Sequence, residues 1–502
     1  MHLSTLLEMS SDAFGDRTAF GPIDGGLTYA DLAAQARRTA VWAARRGVAN
    51  VGLVDVNSEA VPVLLYGSGL AGLPFVPVNY RLADDQLAAI LARTAPSVVV
   101  VEEAVPARVG EIDGVELLTR TQFLAELAAA GDEAPPEHEP SPEDIAILLF
   151  TSGTTGEPKA AVLRHKHLAS YVITTVEFMG ADEEEAALVS VPPYHVAGTS
   201  AVLSSVYAGR RVVYLPAFKP EVWVETARDE RVTQAMVVPT MLGRILDVVE
   251  GQGERLPRLR HLSYGGGRMP PAVIERAMAA FPNVAFVNAY GLTETSSTIA
   301  VLGPDDHREA IASSDPAVRR RLASVGRPLP TLDVEIRDRD HEPLGPGEAG
   351  EIWVRGEQVA GEYLGRTGVI EDGWFPTRDG GWLDEAGYLY LEGRLDDVIV
   401  RGAENMSPGE IEDALLSHPA VADAGVTGVP DTEWGEKVVA AVVLAEGAEA
   451  TEDELRAWVK GQLRSSKTPQ HIAFREALPY TDTGKLLRRS LAAEFALAYG
   501  DS

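Results

Sequence analysis

Cysteine is absent from all 502 residues. That excludes disulfides, thiolate metal sites and a cysteine nucleophile, so any thiol chemistry needs a thiol brought by a partner. Basic residues are also scarce: 44 Lys and Arg stand against 74 Asp and Glu, a formal charge of −30. A surface this acidic repels nucleic acid and anionic membrane at long range, and the excess charge is read as a solubility device. A phosphate-bearing ligand would have to be held by a local cluster of donors. The first 16 residues lack a basic start followed by an apolar core, so no secretory leader is expected. Residues 61–78, VPVLLYGSGLAGLPFVPV, are uncharged and about as long as a membrane span. Pro62, Pro74 and Pro77 would break a spanning helix, and the stretch reads instead as a buried helix, a Gly-Leu-Pro turn and a strand. The expectation is a cytoplasmic protein with neither a nucleic-acid nor a membrane partner.

What is present fits a large globular protein. The chain is too long for a single core, so two or more domains are expected. At 45% apolar and 24% charged, it has ample material for those cores. Apolar β-rich runs such as SVVVVEE, IAILLF, ALVSVPP, RRVVYLP, AMVVP and VAFVNAYG alternate with amphipathic stretches such as DLAAQARRTAVWAARRG and TMLGRILDVVEG. Continuous apolar strands separated by helices predict mostly parallel sheets covered on both faces, an α/β class. Such sheets place ligands beyond the carboxyl ends of their strands. Around Pro330 the pattern turns to alternating polar and apolar residues with Gly-Pro punctuation, which predicts a small antiparallel β unit. From about Leu395 a small α+β unit follows. There Ser407, Pro408 and Glu410 form one predicted helix start, an N-cap, a first-turn proline and a capping-box partner. Thr451 and Glu454 form another. Residues 133–143 read as a loop, and no internal repeat is visible.

FTSGTTGEPKAAV, residues 150–162, follows an apolar strand with hydroxyl and glycine residues and then one lysine. Successive backbone N–H groups in a turn bind anions, hydroxyls add donors, and Gly153 and Gly156 permit backbone angles that other residues resist. Lys159 adds a full positive charge. This is a phosphate-holding loop in kind, without the spacing of a Walker motif. On composition alone, a plain surface loop with an incidental lysine fits as well.

TSGTTGEPK is similar to the signature of the adenylate-forming (AMP-binding) superfamily, and the rest of the chain resembles that superfamily's acyl- and aryl-CoA synthetases. VPPYHVAG (191–198), AYGLTETS (289–296), GEIWVRGE (350–357), LEGRLDDVIVRGAENMSPGEIE (391–412), VPDTEWGEKVVA (429–440) and LPYTDTGKLLRR (478–489) resemble the later blocks of the family, in its order. The resemblance implies a large AMP-binding domain over 1–395 and a small mobile domain over 396–502, with a hinge at Asp396. It implies an AMP-forming carboxylate–CoA ligase that uses ATP, Mg²⁺ and coenzyme A. An acid is first adenylated, and the CoA thiol then displaces AMP.

Roles for single residues follow from the same resemblance. Thr151, Ser152, Thr154 and Thr155, with Gly153 and Gly156, would cradle the β- and γ-phosphates beside Lys159. Thr293 would meet the α-phosphate and Glu294 would hold Mg²⁺. Tyr290 and Gly291, with Gly265, Gly266 and Gly267, would border the adenine. Asp379 would accept from the ribose hydroxyls, with Arg394 near the ribose or phosphate. The family usually has glycine before this aspartate, and this chain has Arg378. Lys485 would bridge the carboxylate and the α-phosphate. Gly402 would line the pantetheine tunnel, and Trp434 is a candidate contact to that arm, a half-buried packing residue being the bland alternative. His195 would border the acyl pocket, against the alternative of a hydrogen-bonded core histidine.

No aspartate lies between Tyr194 and Ala201. Amino-acid-adenylating members of the superfamily usually carry one near this block to pair with the substrate ammonium, so the resemblance disfavours a free amino acid, whose buried ammonium would lack a partner. The hinge stretch resembles aryl- and medium-chain-acyl-CoA ligases, and Val196, Ala197 and Gly198 after His195 are small and apolar, so the resemblance implies an aromatic, bulky or medium-chain acid. A carrier-protein pantetheine in place of free CoA, a luciferase-like oxygenase and a non-catalytic nucleotide sensor stay open at this stage, as does the choice between monomer and homodimer.

Overall fold

The structure is a computed structural model that describes residues 1–131, 138–151, 158–252, 256–366, 370–401, 404–481 and 486–500. The valine-rich run becomes a strand buried on both faces. Ser97–Val101 pairs in parallel with Asn50–Val54 and Val115–Thr119. Val98 and Val100 enter one core while Val99 and Val101 enter another. Both faces of the strand are interior, which is why its sequence shows no polar alternation. The sheet runs in the order 115–119, 97–101, 50–54, 75–77, 145–151, 159–164. Only its last pair is antiparallel. Residues 61–78 fold as expected, into helix Ala60–Leu70 and strand Phe75–Pro77. Pro62 sits in the first helical turn, where a missing N–H costs no intrahelical bond.

A second sheet of nine strands, counted among the described residues, runs 327–328, 297–302, 285–292, 261–265, 234–237, 186–189, 211–214, 18–20, 27–28. Its central strands are parallel. One face is sealed by helices Pro220–Asp229, Pro239–Gln252 and Pro271–Ala280 around Trp223, Leu242 and Tyr264. Helix Val196–Ala208 packs against the second sheet, while its Val202, Leu203 and Val206 join the core of the first.

The change of texture at Pro330 marks an antiparallel sheet of Asp333–Arg337, Gly350–Arg355, Phe375–Leu383 and Leu389–Arg394. The C-terminal α+β unit begins after that last strand. Strands Val421–Asp431 and Gly435–Leu444 form its central hairpin, covered by helices Pro408–Leu416, Glu452–Gln462 and Arg488–Tyr499. The capping box at its second helix forms as predicted: Glu454 N–H donates to Thr451 Oγ1 at 3.3 Å, and Thr451 N–H to Glu454 Oε2 at 2.8 Å. The one predicted at Ser407 and Glu410 does not form. Ser407 donates instead to the carbonyl of Glu392 on the antiparallel sheet, and Glu410 pairs with Lys467. Tertiary partners outcompete the local cap there. Beside them, Arg268 donates to the Gly409 carbonyl at 2.7 Å and pairs with Asp413. The junction between the large and small units is therefore polar. No helix among the described residues is long and apolar enough to cross a membrane.

His2 caps helix Leu3–Phe14 by accepting the Ser4 N–H at 3.2 Å, and its ring stacks on that of His165 with centres 3.5 Å apart. Burial pushes His2 down to about 4 and His165 down to about 2, so both rings are neutral in the fold. The unfolded chain takes up both protons near the ordinary histidine value of about 6.5. Their contribution to stability is complete above that pH and is lost progressively as pH falls toward about 4. Lowering the pH from about 7 to about 5 should lower the unfolding temperature, with each ring contributing about 2 kcal/mol. Calorimetry across that range checks this, and a transition that does not move with pH contradicts the neutral stacked pair.

Candidate active site

Strands Ile145–Thr151 and Lys159–Arg164 form a hairpin in which Thr151 faces Lys159. The Thr151 hydroxyl donates to the Lys159 carbonyl at 3.4 Å. Ser152, Gly153, Thr154, Thr155 and Gly156 lie outside the described residues, as do Gly402 and Lys485. Arg93 steadies the hairpin mouth: its guanidinium donates to the Pro158 carbonyl at 2.7 Å and lies over the Phe150 ring. Segment 360–366 runs along the outer strand. Val162 N–H donates to the Glu362 carbonyl and Leu364 N–H to the Ala160 carbonyl, both at 2.9 Å. Arg164 grips the Glu362 carboxylate with two bonds of 2.9 and 2.8 Å.

This pairing fixes Tyr363 between the hairpin and Glu294. The Tyr363 hydroxyl donates to the Glu294 carboxylate, and the Lys159 ammonium lies 5.7 Å from the centre of the Tyr363 ring. Burial, then the charge of Glu294, raises the Tyr363 hydroxyl above its ordinary pKa, so it remains a proton donor. Glu294 sits in the short turn Thr293–Thr295. The backbone just after that turn is strained, with Ser296 at φ 56 and Ser297 at φ 124. Two elements hold it. The buried Gln358 amide donates to the carbonyls of Thr295 and Thr298 at 3.0 and 2.7 Å. The N–H groups of Ala360 and Gly361 donate to the Glu294 carbonyl at 2.8 and 3.1 Å. Gly291 is forced by the same turn: a Cβ there would stand 1.6 Å from the Ser297 carbonyl oxygen.

Tyr290 and Asp379 meet across two sheets. The Tyr290 hydroxyl donates to Asp379 Oδ2 at 2.6 Å, and Arg394 donates to Asp379 Oδ1 at 2.9 Å. All three sit where strands end or bend, since Asp379 pairs with Arg394 across a bulged ladder. Burial opposes the charge of Arg394, but Asp379 outweighs it and holds the guanidinium above its usual pKa. Arg378 occupies the left-handed region at φ 63, a conformation that favours glycine. Its guanidinium reaches to 3.9 Å from Asp396.

These groups open onto one cavity of about 2970 Å³. Thr151, Lys159, His195, Gly265, Gly266, Gly267, Tyr290, Gly291, Thr293, Glu294, Asp379, Arg394 and Asp396 all line it. The small unit closes the opposite side with Tyr480, Thr481 and residues 486–488, the two flanks of the segment that carries Lys485. His195 takes the N-cap position of helix Val196–Ala208, its ring 4.7 Å from that of Tyr194. Trp434 is not brought to the cavity: it is 47% exposed, with the Arg401 guanidinium over its ring.

Tyr363, Gln358 and Arg93 carry no signal in the sequence that marks them for this site. Tyr363 lies six residues past the GEIWVRGE block, and nothing local marks it. Gln358 is 1% exposed, which no sequence pattern announces. Among the described residues no three acidic or histidine side chains converge to hold a metal ion by themselves. Glu294 offers one hard oxygen ligand, which suits a cation held chiefly by phosphate oxygens.

The AMP-binding enzyme family matches residues 7–364, and the AMP-binding enzyme C-terminal domain matches residues 410–485. The chain is 34% identical over 477 residues to a feruloyl-CoA synthase of an Amycolatopsis species, covering 93% of this chain and 94% of that protein. It is 32% identical over 494 residues to a fatty acid–[acyl-carrier-protein] ligase of Streptomyces coeruleorubidus, covering 95% and 92%. Among solved structures, o-succinylbenzoate CoA synthetase of Bacillus subtilis in complex with its acyl-adenylate matches with a TM-score of 0.82 at 28% identity, covering 97% of each chain. The same synthetase is also solved with ATP and a magnesium ion. This chain belongs to the AMP-binding enzyme family, within the adenylate-forming superfamily and of its acyl- and aryl-CoA synthetase type.

Proposed function

We propose that this chain activates an aromatic, bulky or medium-chain acid, with the residues described above in specific roles. It is an ATP-dependent acyl-CoA synthetase. A carboxylate attacks the α-phosphate of ATP, giving an acyl-adenylate and pyrophosphate, and the CoA thiol then attacks the acyl carbon and releases AMP. The absence of cysteine is consistent with that second step, because the thiol arrives on the acceptor. The observation that carries the assignment of roles is the single cavity shared by Lys159, the Glu294–Tyr363 pair, the Asp379–Arg394 pair and the flanks of the Lys485 segment.

In this scheme Thr151 and Lys159, with the hydroxyls of Ser152, Thr154 and Thr155, hold the β- and γ-phosphates. Thr293 meets the α-phosphate. Glu294 holds Mg²⁺, which neutralises phosphate charge when bound. Tyr363 keeps the Glu294 carboxylate aimed. Asp379 accepts from the ribose hydroxyls while Arg394 steadies it, and Lys485 stabilises the charge that develops at the α-phosphate. A swing about Asp396 would withdraw Lys485 and bring Gly402 and Trp434 toward the site for the thiol step. The exposed position of Trp434 suits a residue that waits outside during adenylation.

A carrier-protein pantetheine is the rival acceptor, favoured by the similarity to an acyl-carrier-protein ligase. Pyrophosphate exchange over a panel of aliphatic, aromatic and polycyclic acids gives the acid. Thioester formation with free CoA and with a loaded carrier protein then gives the acceptor. No exchange with any acid would leave a nucleotide-binding relative.

Lys485→Ala should lower carboxylate-dependent pyrophosphate exchange by about 10²- to 10³-fold, while a supplied acyl-adenylate still forms thioester. Equal loss of both steps contradicts the role. Tyr363→Phe should raise the Mg²⁺ concentration needed for half-maximal exchange and lower the rate at saturating Mg²⁺ by about tenfold. A Mg²⁺ titration identical to the parent's would remove Tyr363 from the site.

A further inference from the structure

The central strands of a parallel sheet are ordinarily covered on both faces. Two central strands of the second sheet are not. Along Gln234–Val237, Ala235 and Val237 pack into the helix-covered core, while Gln234 and Met236 line the cavity. Along His261–Gly265, Leu262 and Tyr264 pack into the same core, while His261, Ser263 and Gly265 line the cavity. Across from this open face, helix Val196–Ala208 presents Ala197, Ser200, Ala201, Ser204 and Ser205 to the same space. That is an i, i+3, i+4, i+7, i+8 stripe. The cavity therefore continues as a trough from the nucleotide site down the whole length of these strands. Five strand residues cover about 13 Å. The helix stripe covers about 12 Å. Two independent elements thus set the same length.

The two ends of the trough differ chemically. The near end is His195 and the glycines 265–267, beside the nucleotide groups. At the far end Gln234 and His261 stand side by side across the parallel ladder. Behind them Glu185 accepts from Gln234 Nε2 at 2.9 Å and from Arg210 Nε at 3.1 Å. Glu185 and Arg210 are largely buried and match each other's charge. Arg260, 4.0 Å from Glu185, is matched in turn by Asp182 at 3.8 Å, so the far end offers hydrogen bonds without net charge. Partial covering of the ring, offset in part by Glu185, holds His261 below the ordinary histidine range, so it adds a neutral imidazole near neutral pH. The far end is also wet, since His261 is exposed. A saturated hydrocarbon tip would desolvate polar groups there and give nothing back.

We propose that the acid is elongated, spans this trough with an apolar body, and carries a neutral hydrogen-bonding group, a hydroxyl or ketone, that meets Gln234 and His261. The proposal rests on the adenylation function given above and names the class of acid for it. Ser204 governs passage along the trough, and Gln234 governs the polar tip.

Pyrophosphate exchange with benzoate, hexanoate, dodecanoate and 12-hydroxydodecanoate tests this. The parent should prefer 12-hydroxydodecanoate over dodecanoate by about tenfold in kcat/KM. Gln234→Leu should abolish that preference, and Ser204→Phe should lower the ratio of twelve-carbon to six-carbon activity at least tenfold. Turnover of hexanoate or benzoate with no turnover of either twelve-carbon acid overturns the trough while leaving adenylation intact. So does a ratio that Ser204→Phe does not move, or a parent that prefers the unsubstituted tip. The series on the parent needs no variant to fold. Absence of exchange with all four acids, together with none across the wider panel, marks failure of the adenylation function itself.

Discussion

Asp379 carries its carboxylate into a position only 8% exposed, and each of its oxygens has a partner. One accepts from Tyr290 at the end of a parallel strand, and the other from Arg394 on an antiparallel strand. A buried carboxylate without such partners is costly. That cost ties the antiparallel sheet to the nine-stranded one. Once Tyr290 is fixed, the Gly291–Thr295 turn follows it within the same strand and turn. Once Arg394 is fixed, the chain entering the small unit leaves from a defined point, with Asp396 two residues on. The small C-terminal unit thus follows directly on the strand anchored by the same carboxylate that organises the floor of the cleft.

The second constraint is electrostatic. The whole chain carries a formal charge of −30, which disfavours an anionic nucleotide at a distance. Near the site the charges are mixed rather than uniformly acidic: Lys159, Arg366 and Arg394 line the cleft together with Glu294, Asp379 and Asp396. Within a Debye length of about 8 Å at physiological salt, the near charges dominate. Asp379 is matched by Arg394, while the Glu294 carboxylate accepts from the Tyr363 hydroxyl.

Much of the site was legible because its parts are local. Thr151 and Lys159 belong to one short sequence motif and face each other across a strand pair, and Tyr290 to Glu294 are consecutive, so one motif exposes several neighbours at once. Tyr363 and Gln358 were not legible, because their importance lies in what they touch across the fold. Trp434 is a different case: its motif was visible, and the structure places it outside the cavity, exposed in the small unit with the Arg401 guanidinium over its ring. Ser407 was misread because the cap was written in the local sequence, but a carbonyl on another sheet claimed the hydroxyl.

The sequence by itself determined the classes of the sheets, the change of texture at Pro330, the α+β unit after Leu395 and the family of the chain. Periodicity, turn chemistry and short ordered motifs act over neighbours, and neighbours are what a sequence displays. Only the tertiary structure decided that one face of Gln234–Val237 and His261–Gly265 stays open, and that the gap ends in a charge-matched Glu185–Arg210 pair. A cavity is the space left between elements far apart in the chain, so no stretch of residues can encode it alone.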